Sequence, residues 1–343
     1  MRLNLPTLGL GCAPLGNLFR QRTDDEAAET LEAAWQAGVR YFDTAPHYGL
    51  GLSERRLGRF LATKPRAEFI VSTKVGRLIR DNPRWDGVSD DDEGFAVPAR
   101  LHRVLDYTER GIRDSVEESL TRLGLDRVDI LLVHDPDRSG VEDSTDSGLH
   151  ALASLRDEGL VTAIGTGSLG VDVLLRTVLS GLADLVMVAN RFTLLDQRAR
   201  PELIAACDTH DVEIVAAAVF NSGLLAQTPH PDARYDYGSV PDSVLARARA
   251  IADVCTAFDV ELPTAAMRYP LLDPRVASIV IGADTADQLR QNIDRLKEPV
   301  PAALWDELDV RGLVPRPRSG RGRTRDASIG ANDWPSGVTT ARD

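Results

Sequence analysis

Four residues of unlike chemistry stand out in the first half of the chain: Asp43, Tyr48, Lys74 and His134. A tyrosine hydroxyl ordinarily keeps its proton up to a pKa of about 10, but a neighbouring ammonium favours the phenolate and brings that oxygen into use near neutral pH. A carboxylate beside the lysine would hold the ammonium in place, and an imidazole could orient a substrate oxygen. Such a set is equipment for moving a proton onto or off an oxygen atom. Each residue alone has a plainer reading as a satisfied buried group or, for the tyrosine, as loop filling. Together they weigh more, because Asp and Lys are rarely buried unless paired and three successive strand candidates end in a titratable group. Lysine usage points the same way. Only Lys64, Lys74 and Lys297 stand beside 37 arginines, so a lysine at a strand end marks a place where a compact charge with a movable pKa has a use.

The elements that must position these residues follow from periodicity. Thr23-Asp24-Asp25-Glu26 is a capping box, with Ala27, Leu31, Ala34 and Trp35 on one helical face and Gly38 as a stop. Val39–Asp43 reads as a short strand, and Ser53 as the cap of a helix carrying Leu57, Phe60 and Leu61. Phe69–Lys74 is the next strand. Ile112, Val116, Leu120 and Leu123 line a helix, and Val128–His134 is continuously apolar, as a strand covered on both faces should be. Val161–Gly165, Leu185–Asn190, Val212–Ala218 and Ser278–Gly282 continue the alternation, and Thr7–Gly11 brings the strands to eight.

Strands alternating with helices mean βαβ units and a parallel sheet. Eight in about 300 residues fit an α/β fold of the (β/α)8 TIM-barrel type, whose active face lies where the strands end. An open dinucleotide-binding sheet would need a G-x-G-x-x-G after the first strand, and Gly9-Leu10-Gly11 is only a fragment of one. The expected organisation is a single barrel over residues 1–311 and an Arg/Gly/Pro-rich tail, 312–343, whose composition predicts disorder. Gly76 to Arg110 is too long for a simple connection. It should be a surface excursion after the third strand, with Asp90–Glu93 as a solvated acidic run.

Composition narrows the function classes. With 43% hydrophobic and 27% charged residues the chain is an ordinary globular one. Its longest apolar run, Ile214–Phe220, is strand-sized against the roughly 18 residues a membrane helix needs, and the first residues hold no signal-peptide core. Cys12, Cys207 and Cys255 make neither a disulfide framework nor a metal-ligand spacing. The expectation is a cytoplasmic protein with no bound metal and no membrane partner. The formal charge is −12, made of −16 over residues 1–310 and +4 over 311–343, which argues against a nucleic-acid partner. The basic tail is a solvated end or, alternatively, an interaction arm. The expected partner is a small molecule, and the oligomeric state is not legible.

Phe42-Asp43-Thr44-Ala45-Pro46-His47-Tyr48-Gly49, Ser72-Thr73-Lys74-Val75-Gly76 and Asp129–His134 resemble the aldo-keto reductase superfamily, with Asp43, Tyr48, Lys74 and His134 in the order and spacing of its tetrad. The similarity runs over about residues 7–297. It implies a (β/α)8 barrel that binds an extended nicotinamide cofactor without a Rossmann domain, with Tyr48 as proton donor or acceptor. A narrower resemblance, to the aldose 1-dehydrogenase branch, rests on Gly76-Arg77-Leu78, Leu105–Thr108, His134-Asp135-Pro136-Asp137, Arg191–Asp196 and Phe220–Leu225. That branch takes in L-fucose, D-threo-aldose and L-galactose dehydrogenases and pyridoxal 4-dehydrogenases. It implies oxidation of a cyclic hemiacetal to a lactone, a reaction that needs no cysteine nucleophile.

The same resemblance implies which residues meet the cofactor. Ser168 falls at the nicotinamide end and Asn190 is a further cofactor contact, while Ala217 stands where many relatives stack a tyrosine. Phe220, Asn221, Ser222, Gly223 and Leu225 would lie along the pyrophosphate, and Gly282, Asp284, Thr285, Gln288, Gln291 and Asn292 at the adenosine end. A 2′-phosphate asks for a cation, usually arginine. Gln288 and Asp284 stand there instead, which leans to NAD over NADP, with Arg290 as the nearby residue that could reverse the preference. His47, Trp85, Tyr107 and Phe192 are the expected substrate contacts. Rival readings are an NADPH-dependent aldehyde or ketone reductase, a pyridoxal 4-dehydrogenase, a nucleotide-binding redox sensor with little turnover, and a sugar-binding barrel without redox chemistry.

Overall fold

The computed structural model describes residues 4–90, 93–236 and 238–316. Eight parallel strands, here β1 (Leu8–Gly11), β2 (Tyr41–Asp43), β3 (Ile70–Val75), β4 (Ile130–His134), β5 (Ala163–Ser168), β6 (Leu185–Ala189), β7 (Glu213–Ala217) and β8 (Val276–Ile281), close into a barrel in chain order. The ring shuts where β1 pairs with both β2 and β8. All eight expected strands are present, with no end moved by more than three residues.

Alternation within each strand decides which way a side chain goes. In β4, Leu131 and Val133 join the apolar layer under the helices, while Ile130 and Leu132 join a second cluster with Tyr41, Ala163, Leu185, Met187 and Val215 inside the barrel. His134 is two residues beyond Leu132 and points inward with it. In β3, Val71 and Val75 face the helices, so Ser72 and Lys74 face in with Ile70. In β2, Phe42 faces out, and Tyr41 and Asp43 face in. Asp43, Lys74 and His134 are therefore the last inward positions of three adjacent strands.

The helices run back against the strands, so their C-terminal ends lie on the face opposite the strand ends. Lys64, just past the helix Leu52–Leu61, and Lys297, the last residue of the helix Ala286–Lys297, sit on that opposite face. The capping box forms as expected: Thr23 Oγ1 accepts from the Glu26 amide at 3.1 Å, and Glu26 Oε2 accepts from the Thr23 amide at 2.7 Å.

Ser53 is not a cap. The helix begins at Leu52 after Gly51, and the buried Ser53 hydroxyl donates to the Cys12 carbonyl at 2.7 Å and meets Thr44 Oγ1 at 2.8 Å, tying the end of β1 to the end of β2. The stretch after β3 is also more than a surface excursion. Arg77–Asp81 pairs with Leu101–Leu105, and Ser89–Asp90 pairs with Phe95–Pro98, giving two antiparallel ladders. Phe95 is buried and bridges to Leu18 in the loop after β1. Of the acidic run, Asp90 is half-buried in an ion pair with Arg103 at 2.6 Å, and Asp91 and Asp92 lie outside the described residues. At the other end the core continues past Arg311: Val314 is 1% exposed, and the Pro315 carbonyl accepts from the Tyr269 hydroxyl at 2.9 Å. Residues 317–343, most of the expected tail, lie outside the described residues.

Candidate active site

Two inward strand ends, Asp43 and Lys74, and one loop residue, Tyr48, meet at a single ammonium. Lys74 Nζ donates to Asp43 Oδ2 at 2.7 Å and Oδ1 at 2.9 Å, to the Thr44 carbonyl at 3.0 Å and to Tyr48 Oη at 3.1 Å. Asp43 is held in turn by the Ser72 hydroxyl at 2.7 Å, itself 3.0 Å from the Tyr41 hydroxyl. Both Lys74 and Asp43 are almost fully buried. A buried charge stays only when paired and hydrogen-bonded, and this pair is both.

Tyr48 comes from the loop after β2, and a glycine contact sets its place. Gly49 has φ +60°, and a Cβ there would stand 2.3 Å from the Gly16 carbonyl oxygen. The two loops can lie back to back only without side chains at that point. Beyond Tyr48 stand His47 and His134, their ring centroids 5.3 Å apart, and Phe95, 5.2 Å from His47 and 6.1 Å from Tyr48. The Tyr48 and His134 rings are 5.9 Å apart and perpendicular.

The electrostatics give the groups different protonation states. Burial alone would pull the Lys74 ammonium down, but Asp43 and Tyr48 outweigh it and hold its pKa above the ordinary 10.5. Burial, reinforced by Arg77 and Lys74, pushes His134 well below 6.5, and burial with Arg77 and Arg103 does the same to His47. Both imidazoles are neutral at pH 7. All three cysteines are buried thiols: burial raises Cys12 well above its ordinary value and lifts Cys207 and Cys255 to about 12. None is placed to act as a thiolate nucleophile.

Of the expected substrate contacts, only His47 reaches this cluster with a polar edge. Tyr107 is buried with its ring against Gly76, and its hydroxyl donates to the His134 carbonyl at 3.2 Å, bracing β4 from outside. Trp85 donates to the Val88 carbonyl at 2.9 Å under the Arg100 guanidinium, within the excursion itself. Phe192 lies in the loop after β6 with its ring turned inward: it is 1% exposed and packed 6.1 Å from the Tyr269 ring in the outer core. Sequence reasoning missed Phe95, Arg103, Arg77 and Asp135. Arg103 donates to the His47 carbonyl at 2.8 Å, and Arg77 touches His47 Nδ1 at 3.1 Å and Asp135 Oδ2 at 3.2 Å. The adjacency of Asp135 to His134 was the one signal for it in the sequence.

Of the expected cofactor residues, Ser168 to Thr285 lie at or just after the ends of β5 to β8, and Gln288, Gln291 and Asn292 lie on the helix Ala286–Lys297. At the end of β6, Asn190 is fully buried, and neither its amide nitrogen nor its amide oxygen has a partner among the described residues. An orphaned buried amide is costly, and a carboxamide such as that of nicotinamide complements both atoms, so the residues present fit that group. Ser168 is differently engaged: its hydroxyl donates to Asp137 at 2.7 Å and accepts from the Gly170 amide at 3.0 Å. Asn221 ties two loops together, donating to the Asn190 carbonyl at 3.2 Å and accepting from Thr193 at 2.7 Å. Asn221, Ser222 and Gly223 follow one another at positive φ, while Phe220 closes the turn by accepting from the Leu225 amide at 3.0 Å. Beside Gly282, Thr285 caps its helix, the Asp284 amide donates to Gln288 Oε1, and Asp284 is clasped by Arg20 and Arg22 from the loop after β1. Arg290 pairs instead with Asp287 at 2.7 Å. Asn292 is buried, and Gln291 lies exposed on the same helix. Among the described residues no group of three or more His, Cys, Asp or Glu is arranged to hold a metal, and no helix is long and apolar enough to cross a membrane.

The profile described as Aldo/keto reductase family matches residues 7–310. D-threo-aldose 1-dehydrogenase of a Pseudomonas species is 52% identical over 317 residues, covering 92% of this chain and 96% of that one. Pyridoxal 4-dehydrogenase of Microbacterium luteolum is 34% identical, covering 91% and 95%. Among solved structures, the holo form of an aldo-keto reductase from Bacillus halodurans superposes with a TM-score of 0.71 at 22% identity, over 91% of this chain and 94% of that one.

Proposed function

The chain belongs to the aldo/keto reductase family and is an oxidoreductase of CH–OH groups; on that premise we propose that it oxidises an aldose at C1 to the lactone, with hydride passing to a nicotinamide nucleotide. The observation that carries the reading is the single ammonium of Lys74, hydrogen-bonded at once to Asp43 and to Tyr48 Oη. In this direction Tyr48 Oη takes the proton of the C1 hydroxyl, and Lys74 stabilises the charge that oxygen carries beforehand. Asp43 keeps the ammonium charged and aimed. His134, neutral, offers its imidazole to the substrate oxygen without adding a like charge beside Lys74. The 52% relationship to a D-threo-aldose 1-dehydrogenase supports the aldose as substrate class.

Asn190 would hold the carboxamide end of the cofactor, with the turn Asn221–Gly223 beside the pyrophosphate. NAD is the proposed partner over NADP. Gln288 offers no cation, and Arg20 and Arg22 are already engaged with Asp284. The three unpaired cysteines suit a reducing cytoplasm as its compartment.

The test is absorbance at 340 nm with a panel of aldoses and pyridoxal, each offered with NAD and with NADP. Reduction of NAD by an aldose supports the reading and names both reactants. Silence on every aldose, with NADPH-driven reduction of simple aldehydes, would overturn it in favour of a carbonyl reductase.

A further inference from the structure

The wall facing Tyr48 contains a carboxylate that the proton-transfer group does not use. Asp135 directly follows His134 and is 8% exposed. Its backbone is left-handed, with φ +41° and ψ +55°, and its amide donates to the Gly167 carbonyl at 3.0 Å. Non-glycine residues seldom adopt this conformation, and when they do at a site the surroundings must impose it. The side chain is fixed from one side only. Arg77 Nη2 reaches Asp135 Oδ2 at 3.2 Å, and His134 Nε2 lies 3.6 Å from the same oxygen. Among the described residues both contacts run through Oδ2, so Oδ1 has no protein partner.

Arg77 links this carboxylate to the other side of the cluster. Its Nη1 lies 3.1 Å from His47 Nδ1. A guanidinium can only donate, so Nδ1 accepts and the neutral His47 carries its proton on Nε2. The wall therefore offers a fixed acceptor, Asp135 Oδ1, close to the imidazole that meets the reacting oxygen, with the Phe95 ring alongside His47 and Tyr48. A simple aldehyde or ketone has nothing to donate to this carboxylate oxygen, and on binding would displace its water without replacing the hydrogen bond. A sugar does: the hydroxyl on the carbon next to the reacting one.

We propose that Asp135 is a specificity-determining residue that accepts a hydrogen bond through Oδ1 from the C2 hydroxyl of the substrate, with Arg77 as its positioning residue. The inference rests on the aldose reading above and deepens it. A charge-assisted bond from a hydroxyl to a carboxylate is short and strong, and a site built around a substrate hydroxyl rejects the analogue that lacks it far more sharply than an apolar pocket rejects a missing methylene.

The experiment compares kcat/KM for the best aldose and for its 2-deoxy counterpart, in the wild type and in Asp135→Asn and Asp135→Gly. Both replacements tolerate positive φ, and thermal melting with NADH titration reports that each variant is folded and binds nucleotide. The wild type is expected to favour the aldose by about 10²-fold. The preference should fall at least tenfold in Asp135→Asn and nearly vanish in Asp135→Gly. A wild-type preference close to one, or a preference that Asp135→Asn leaves intact, overturns the assignment. If Asp135→Gly does not fold, Asp135→Asn alone decides it. A wild-type protein silent on all aldoses overturns the functional reading instead, and the two failures are told apart by that control.

Discussion

At the scale of single residues, the site separates a group that exchanges a proton from groups that hold it. Tyr48→Phe removes the only atom proposed to exchange a proton and leaves the ring in place. We expect kcat to fall by about 10²-fold or more with NADH affinity unchanged in a fluorescence titration; an active phenylalanine variant would exclude the role. The two neutral histidines make a second prediction. Their folded pKa values lie below the unfolded 6.5, so the unfolded chain takes up protons that the folded one refuses. Stability from this source is complete above about pH 6.5 and is lost as the pH falls, by up to ~1.4 kcal/mol per pH unit for each imidazole. Melting temperatures between pH 7 and 5 should therefore fall less steeply in His134→Gln than in the wild type. Asp43, Lys74 and His134 were legible because each ends a strand on its inward parity. Arg77 and Asp135 were not: their contacts exist only once the excursion after β3 has folded back. Phe192 misled for the converse reason, since a loop at the active face can turn its aromatic ring under into the core.

At the scale of elements, the loops after β1 and β2 and the excursion after β3 form one assembly around Tyr48. Phe95 bridges to Leu18, Arg103 holds the His47 carbonyl, and Gly16 lies against Gly49. Gly49→Ala places a Cβ against the Gly16 carbonyl at a φ that alanine disfavours. Because a misplacement of about 1 Å can cost 10²-fold in rate, we expect kcat to drop by more than tenfold together with a lower melting temperature. A variant with unchanged kcat would show that Tyr48 is positioned by other contacts. The eight strands were readable from alternation and apolar runs, which are local. Ser53 was misread as a cap because serine before a helical pattern is an ordinary capping signal, and only the closed barrel brings the Cys12 carbonyl to it. The two hairpins between Gly76 and Asp106 carry weak strand signals and gain their shape from the barrel rim they cover.

At the scale of the whole molecule, the barrel extends beyond the boundary that composition suggested. Truncation after Arg311 removes Val314 from the core and the Pro315 carbonyl from Tyr269. Burial of one valine is worth about 2 kcal/mol, so the melting temperature should fall by several degrees, whereas truncation after Arg316 should leave it unchanged. Equal melting curves for the two truncations would return the boundary to Arg311. Composition could mark the Arg/Gly/Pro-rich stretch but not the few apolar residues that lead into it. The sparing use of lysine has a practical consequence as well. Lys74 is 2% exposed and locked on Asp43, while Lys64 and Lys297 lie on the face away from the strand ends. A resin or dye that reacts with lysine amines would couple through the floor of the barrel, so immobilised enzyme would stand with its mouth open to the solution.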